Sequence, residues 1–500
     1  MSYLFNEDNL DIVDRICKIN NIKYSDLDVS SFTVDYDLEV LSIFKNGLLT
    51  NKDKKFLIVG DYDCDGICAT AIIKRLLDYL KIESNFYIPS RSKEGYGLNN
   101  KIVETAIVNQ FDCLFLVDNG VNCHEQLSLC RQANIKTFII DHHEYETVDA
   151  DYLLHPTLFN GKYSDMCAAG LCCLLSNSFR VDDLSIVYGG LATLADMVKV
   201  LNYNRYLLVK MMDILRTQDI YQIRLLIKSD ISYDSLSFEV IPKINAVSRL
   251  DEFMNVNHLV QYLLASRNEC VKFLDKIETI NNKRKEMSKT MYEYCLSSLN
   301  KDDNFIIVYS KDFVEGICGL VANRLMYAFN KPAIVFSLKN DELIGSARSP
   351  IGFNAYDYLK DFNGFISFGG HENALGMSIK LDSLIHLKEY INSHPFTIKQ
   401  EEINCLLFNE DDLNLSTYDK IASLQPYGTG FKKPLIAIRD NSYKCFLVKN
   451  KYPKFTINSS CSAICFNDCN FNQVYSYFIG TLNQDSYHKN AISLTIEDLI

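Results

Sequence analysis

From Lys54 onward, short apolar runs alternate with amphipathic stretches along the chain. Phe56–Val59 precedes Ile67–Leu80, Phe86–Ile88 precedes Asn100–Asn109, Cys113–Val117 precedes Glu125–Ala133, and Thr137–Ile140 closes the series. Continuous apolar runs suit strands buried on both faces, and the segments between them carry helical spacing. The rhythm is therefore β-α-β-α and predicts a parallel sheet covered by helices. Beyond about Ala168 the spacing becomes largely helical, through a Lys/Glu-rich stretch around Lys272–Lys289, which predicts a helical connector. A second mixed α/β region runs from Phe305 to about His394, with strands at Phe305–Tyr309 and Ala333–Ser337 around a helix at Gly319–Phe329. The last hundred residues lack long helical periodicity and read as short strands.

At 500 residues the chain is too long for one core, so several domains are expected. No run of 18 or more apolar residues occurs, and the first residues lack a basic and then apolar leader, which points to a cytoplasmic protein without a membrane partner. Seventeen scattered cysteines read as reduced thiols rather than a disulfide framework. A net charge of −12 excludes a generally basic polyanion binder, so any nucleic-acid contact must be local.

Three of the predicted strands run directly into acids: Asp61-Tyr62-Asp63-Cys64-Asp65-Gly66, Asp118, and Asp141-His142-His143. The carboxyl ends of parallel strands share one edge, where ligands bind. Taken singly, an Asp after a strand is an ordinary helix cap. Together these acids would repel strongly unless a divalent cation neutralised them. Mixed Asp and His ligands suit Mn²⁺ or Mg²⁺. Two such ions about 4 Å apart can activate water and stabilise a leaving oxygen, so phosphodiester hydrolysis is the chemistry implied.

These motifs, with Ala195-Asp196 and Asn204-Arg205 downstream, resemble in order and spacing the DHH phosphoesterases in their RecJ form. The likeness extends over roughly residues 50–440, through Arg91 with Glu94-Gly95-Tyr96-Gly97, Asn245-Ala246-Val247-Ser248-Arg249-Leu250, Glu315-Gly316, Gly345-Ser346-Ala347-Arg348 and Gly369-Gly370-His371. It implies Asp63, Asp65, Asp118, His142 and Asp196 as metal ligands, with Asp61 and His143 beside them as acid-base or phosphate-contacting groups. It also implies a substrate wall of Arg91, Tyr96, Arg249, Ser346, Arg348, Gly369, Gly370 and His371, the last also a catalytic candidate. Two departures stand out: Phe313-Val314 replaces the family's Trp-His, and Ala374-Leu375-Gly376 replaces Ala-Ala-Gly.

The implied fold class is α/β. A parallel-sheet DHH domain (47–210) is joined by a helical connector (211–296) to a smaller α/β DHH-associated domain (297–396). An OB-like β domain (397–500) follows, and residues 1–46 form an N-terminal extension. From Lys420 to Lys454 eight basic residues face one acid, and Tyr427, Phe431, Tyr443, Phe446, Tyr452 and Phe455 interleave with them. Cations among aromatics are what a single-strand groove uses, so Lys432, Lys433, Lys444, Lys449 and Lys451 are expected to line one. On the connector, seven basic residues against four acids over Arg267–Lys289 are put down mostly to pairing along the helix.

The function implied is a metal-dependent 5′→3′ exonuclease that degrades single-stranded DNA to mononucleotides in repair or recombination. It would act as a monomer, with a single-strand-binding protein or a helicase as candidate partners. Polarity rests on the resemblance alone. Two alternatives remain: a phosphodiesterase for short oligonucleotides or cyclic dinucleotides, and a non-catalytic DNA-binding scaffold. The scaffold should have lost metal ligands, and here all five are present.

Overall fold

The computed structural model describes residues 2–7, 10–301, 303–400, 402–439, 444–448, 452–466, 475–485 and 491–500. The chain divides into two compact units, one of residues 35–196 and 210–399, the other of 1–34, 197–209 and 400–500.

In the larger unit, β1 (Phe56–Gly60), β2 (Ser84–Tyr87), β3 (Cys113–Val117), β4 (Lys136–Ile140) and β5 (Tyr152–Leu154) form an all-parallel sheet in the order β2-β1-β3-β4-β5. β1 and β3 are buried throughout, which explains their unbroken apolar sequence. One face packs Phe56, Phe115 and Phe138 against Phe44 and Tyr152, with Phe138 and Tyr152 stacked at 4.4 Å. The other face packs Leu57, Val59, Leu114, Leu116 and Ile139 against Leu98, Ile102, Val103 and Leu127. In this strand order the chain reverses direction between β1 and β3, so their carboxyl ends flank the crevice where such sheets take ligands.

The connector contains helices Ile241–Arg249, Asn257–Leu264 and the 32-residue Arg267–Ser298. It leads into a second sheet of β6 (Ile306–Ser310), β7 (Ala333–Lys339), β8 (Glu342–Arg348), β9 (Phe365–His371) and β10 (Ala374–Lys380), ordered β9-β10-β8-β7-β6. Only β6 and β7 run parallel. Leu375, where the family pattern has Ala, is 2% exposed and fills the core of this sheet with Phe336, Ala347 and Met377. That departure is therefore a packing change, within a strand.

The smaller unit holds an eight-stranded sheet of Ser2–Asn6, Glu402–Phe408, Leu435–Arg439, Tyr477–Gln484, Ile492–Leu499, Cys461–Cys465, Tyr452–Thr456 and Lys444–Val448, in that spatial order. Residues 1–46 are thus not one extension. Ser2–Asn6 pairs in parallel with Glu402–Phe408, whereas helix Glu39–Thr50 belongs to the larger unit. A five-residue strand whose partner lies some 400 residues downstream leaves no local pattern to read. Buried Arg205 ties this unit together by donating to the carbonyls of Leu27, Leu424 and Pro426. No helix among the described residues is long and apolar enough to cross a membrane.

Candidate active site

Four backbone segments deliver acids or imidazoles to the β1/β3 crevice. After β1 the chain turns into helix Cys64–Tyr79, and Asp63 caps it by accepting from the amides of Asp65 and Gly66. Gly66 is required there, because a Cβ would lie 2.5 Å from the Asp61 carbonyl oxygen. Asp65, 1% exposed, is gripped from the opposite side by the amides of Ala168 and Ala169, both at 2.8 Å, at the start of helix Ala168–Phe179. Asp118 follows β3 with φ of +60°, a left-handed backbone that turns its carboxylate into the crevice. Asp196 caps the end of helix Asp183–Ala195.

These groups surround His142. Its Nε2 lies 3.3 Å from Asp118 Oδ1 and 3.8 Å from Asp65 Oδ2, and its Nδ1 lies 3.7 Å from Asp196 Oδ2. Three sets of ligand atoms each fall within 4.8 Å of one another: Asp61, Asp63 and Asp118; Asp65, His142 and Asp196; Asp118, His142 and His143. Asp61 Oδ1 and Asp118 Oδ1 are buried without a hydrogen-bond partner, although His142 stands near the latter. A buried carboxylate oxygen left without a donor is strongly unfavourable, and a cation is the partner that both crowding and donor chemistry suit.

Electrostatics tell the same story. Burial, then the Asp63 charge, lifts the Asp65 carboxyl to about 7. Burial, then Asp65 and Asp63, lifts Asp196 to about 8. Asp61 and Asp118 are likewise pushed well up by burial and neighbouring carboxylates. His142 is driven down to about 4 by burial and by His143, so at neutral pH it is an uncharged imidazole, the form that ligates metals.

His143 behaves oppositely. Burial would lower its pKa, but a 2.7 Å hydrogen bond from Nδ1 to Asp141 Oδ1 raises it. The role of Asp141 escapes a reading of the sequence. Besides His143, it accepts from the amides of His142, His143 and Val121, so it fixes both the imidazole pair and the loop after β3. Burial works to raise the Asp141 carboxyl, and the His143 contact outweighs it. The half-exposed Tyr96 donates to the Asp118 carbonyl at 2.9 Å and sits 3.2 Å from His143 Nδ1.

The arginines gather beside this centre. Arg91 lies over the Tyr62 ring at 5.1 Å and within electrostatic reach of Asp61. Arg249 ends helix Ile241–Arg249, donates to the Gly316 carbonyl at 3.1 Å and feels Asp63. Burial, then Arg91, Arg348 and Arg284, brings its guanidinium down to about 9. On the second sheet, register aligns Ser346 with Gly376 and Gly369, and Arg348 with Ala374 and His371, which places all six on one face. Gly319, on helix Glu315–Phe329, leaves room for them, since a Cβ there would meet Arg348 Nη2 at 3.1 Å. His371 is exposed and within electrostatic reach of His142. Phe313, in place of the family's Trp, packs on Tyr294 at 5.3 Å. Val314, in place of its His, gives an apolar lining to a cavity of about 130 Å³ shared with Arg91 and Arg249.

The sequence matches three family descriptions in order: DHH family, N-terminal domain (residues 55–194), DHHA1 domain (302–394) and RecJ OB domain (406–498). The chain thus carries a DHH-family N-terminal domain, a DHHA1 domain and a RecJ OB domain, a RecJ-like order. The RecJ-like chain is 26% identical over 415 residues to the single-stranded-DNA-specific exonuclease RecJ of Bacillus subtilis, covering 78% of this chain and 52% of that protein. It thus spans about half the length of that relative. With the Haemophilus influenzae protein of the same name it shares 27% identity over 431 residues, 76% of this chain and 74% of the relative. Its fold matches a Thermus thermophilus RecJ crystallised with Mn²⁺ at a TM-score of 0.84, with 20% identity, over 97% of this chain and 74% of that one.

The basic stretch of the RecJ-like chain is more divided than expected. Lys420 pairs with Asp11 and Lys454 with Asp485, Lys433 donates to Asn483, and Phe431 and Phe455 are fully buried. Lys432, Lys444 and Phe446 are exposed, whereas Lys449, Lys451 and Tyr443 lie outside the described residues. The connector charges also pair differently from expectation. Lys289 and Glu293 are neighbours along the helix, but Glu278 binds Lys243 and Lys228, and Arg267 binds Asp219.

Proposed function

We propose that this chain is a divalent-metal-dependent 5′→3′ exonuclease that hydrolyses single-stranded DNA to mononucleotides in repair or recombination. The observation that carries the proposal is the pair of partnerless buried carboxylate oxygens, on Asp61 and Asp118, beside a neutral His142 and near Arg91 and Arg249. Relatives named as single-stranded-DNA-specific exonucleases, and solved relatives with Mn²⁺ and with Mg²⁺, support the substrate and the metal.

In this reading Asp63, Asp65, Asp118, His142 and Asp196 hold two Mn²⁺ or Mg²⁺ ions. When bound, such ions supply Lewis-acid activation of water and stabilise charge developing on phosphate oxygens. Asp61 and His143 stand beside the reacting phosphate. His143, protonated through Asp141, donates to a phosphate oxygen or to the leaving oxygen. Arg91, Arg249 and Arg348 grip phosphates bidentately, Ser346 and His371 donate to them, and Gly369-Gly370 allows close approach of the backbone. A nuclease assay with Mn²⁺ on a long 5′-labelled single strand, a duplex and a five-mer tests the reading. Mononucleotide release from the long single strand alone is expected. Preference for the five-mer would favour the short-oligonucleotide alternative, and no cleavage of any would favour a scaffold.

Metal removal should reveal the crowding. In chelator the folded state keeps protons on Asp65 and Asp196 that the unfolded chain sheds near pH 4, so stability falls as pH rises towards about 8. Melting temperature in chelator is therefore expected to drop between pH 6 and 8.5. Mn²⁺ at 100 times its pH 6 Kd should add about 2.7 kcal/mol at pH 6, and the same concentration should add more at pH 8, where fewer protons need displacing. A gain independent of pH would contradict the ligand set.

The exposed lysines of the smaller unit are proposed to hold the strand. Each phosphate neutralised contributes a log–log salt slope of about −0.7 on single strands. Lys432→Glu with Lys444→Glu should flatten the slope by about 1.4 if both make contacts. An unchanged slope in salt titrations would leave these lysines as a solvated face.

A further inference from the structure

The inward stripe of helix Arg267–Ser298 runs through Ile277, Ile280, Asn281, Ser288 and Met291, all buried. Arg284 falls within that stripe. Its Nη2 donates to buried Asn281 Oδ1 at 2.9 Å, and its Nε is buried with no acceptor. Among the described residues no carboxylate pairs with it, although other arginines such as Arg75, Arg131 and Arg267 have theirs. The helix packs against Ile241–Arg249, which ends in Arg249, and against Glu315–Phe329, which passes beneath Arg348. Arg284 thus shares a field with Arg249, itself in the fields of Arg91 and Arg348. A half-buried guanidinium among other cations is unfavourable in the free protein unless an anion completes it.

We propose that Arg284 is a further phosphate-contacting residue, which takes a phosphate of the bound strand next to the scissile one. The proposal rests on the nuclease reading above. It extends the guanidinium array onto the connector, whose charges the sequence assigns to pairing along the helix. Asn281 sets the plane of the guanidinium, leaving the other amino group, Nη1, to donate to a phosphate oxygen.

The test uses the full chain with Mn²⁺ and two substrates: a 12-mer of deoxythymidylate, and the p-nitrophenyl ester of thymidine 5′-monophosphate, a phosphodiester with no neighbouring phosphate. For Arg284→Met, the ratio of kcat/KM on the 12-mer to that on the ester is expected to fall about 10-fold or more, chiefly through KM. The salt slope of 12-mer binding should flatten by about 0.7. Arg284→Lys should restore the slope but only part of the rate. If the Met variant melts below the assay temperature, Arg284→Gln, which keeps a donor for Asn281, replaces it. An unchanged ratio overturns the proposal: an equal loss on both substrates with a lower melting temperature makes Arg284 a brace for the helix, and no loss on either removes any contact. Wild-type protein that leaves the 12-mer intact overturns instead the nuclease reading itself.

Discussion

Asp118→Asn is expected to reduce hydrolysis of single-stranded DNA by at least about 10³-fold, which corresponds to roughly 4 kcal/mol of transition-state stabilisation. Asn is the better replacement because it tolerates the left-handed backbone at this position, with φ of +60°, whereas Ala would add strain to the loss of a ligand. His142→Ala should have a comparable effect, since His142 stands within 4 Å of three carboxylates and its removal leaves them facing one another. The fold should survive both changes. In chelator Asp118→Asn should be at least as stable as wild type, because an uncharged amide suits a place where burial and neighbouring carboxylates disfavour the charged carboxylate. Circular dichroism with single-turnover rates checks both statements, and near wild-type turnover in either variant would refute the metal-site assignment.

Arg348→Ala and His371→Ala should separate binding of metal from handling of substrate. Both are expected to lower the exonuclease rate by about 10²-fold or more, as removal of a preorganised donor to a charged oxygen does. Neither belongs to the clustered ligand sets, so calorimetric affinity for Mn²⁺ should stay within a few-fold of wild type. Arg348→Ala strands no carboxylate and opens space beside Gly319, so the stability loss should be small. A loss of metal affinity in these variants would move the residues into the metal site and remove the substrate wall.

Much of this was legible because the chemistry of the site is tied to strand ends. β1, β3 and β4 are buried on both faces, so their apolar runs stand out, and each stops where an acid begins. Strands such as β9 and β10 carry Gly369 and Gly376 on the face shared with Ser346, and Gly370 on the other, which erases the alternation that marks a strand. Asp141 looked like part of a motif and proved to be the group that aims His143, a relation that exists only in three dimensions. The basic stretch misled for a related reason. Its excess of eight to one is a count along the chain, whereas Lys420 and Lys454 are neutralised by Asp11 and Asp485, which are distant in sequence. Likewise Arg284, counted among the charges of an amphipathic helix, turns out to face inward.

The pairing of Ser2–Asn6 with Glu402–Phe408 bears on how the protein is made. A ribosome adding about 5–20 residues per second needs roughly 20–80 s to travel from one strand to the other. The larger unit has all of its residues by Lys399 and can close while synthesis continues, but the first strand must wait for a neighbour that does not yet exist. During that interval its unpaired backbone is an open edge on a nascent chain, available to neighbouring chains on the same message.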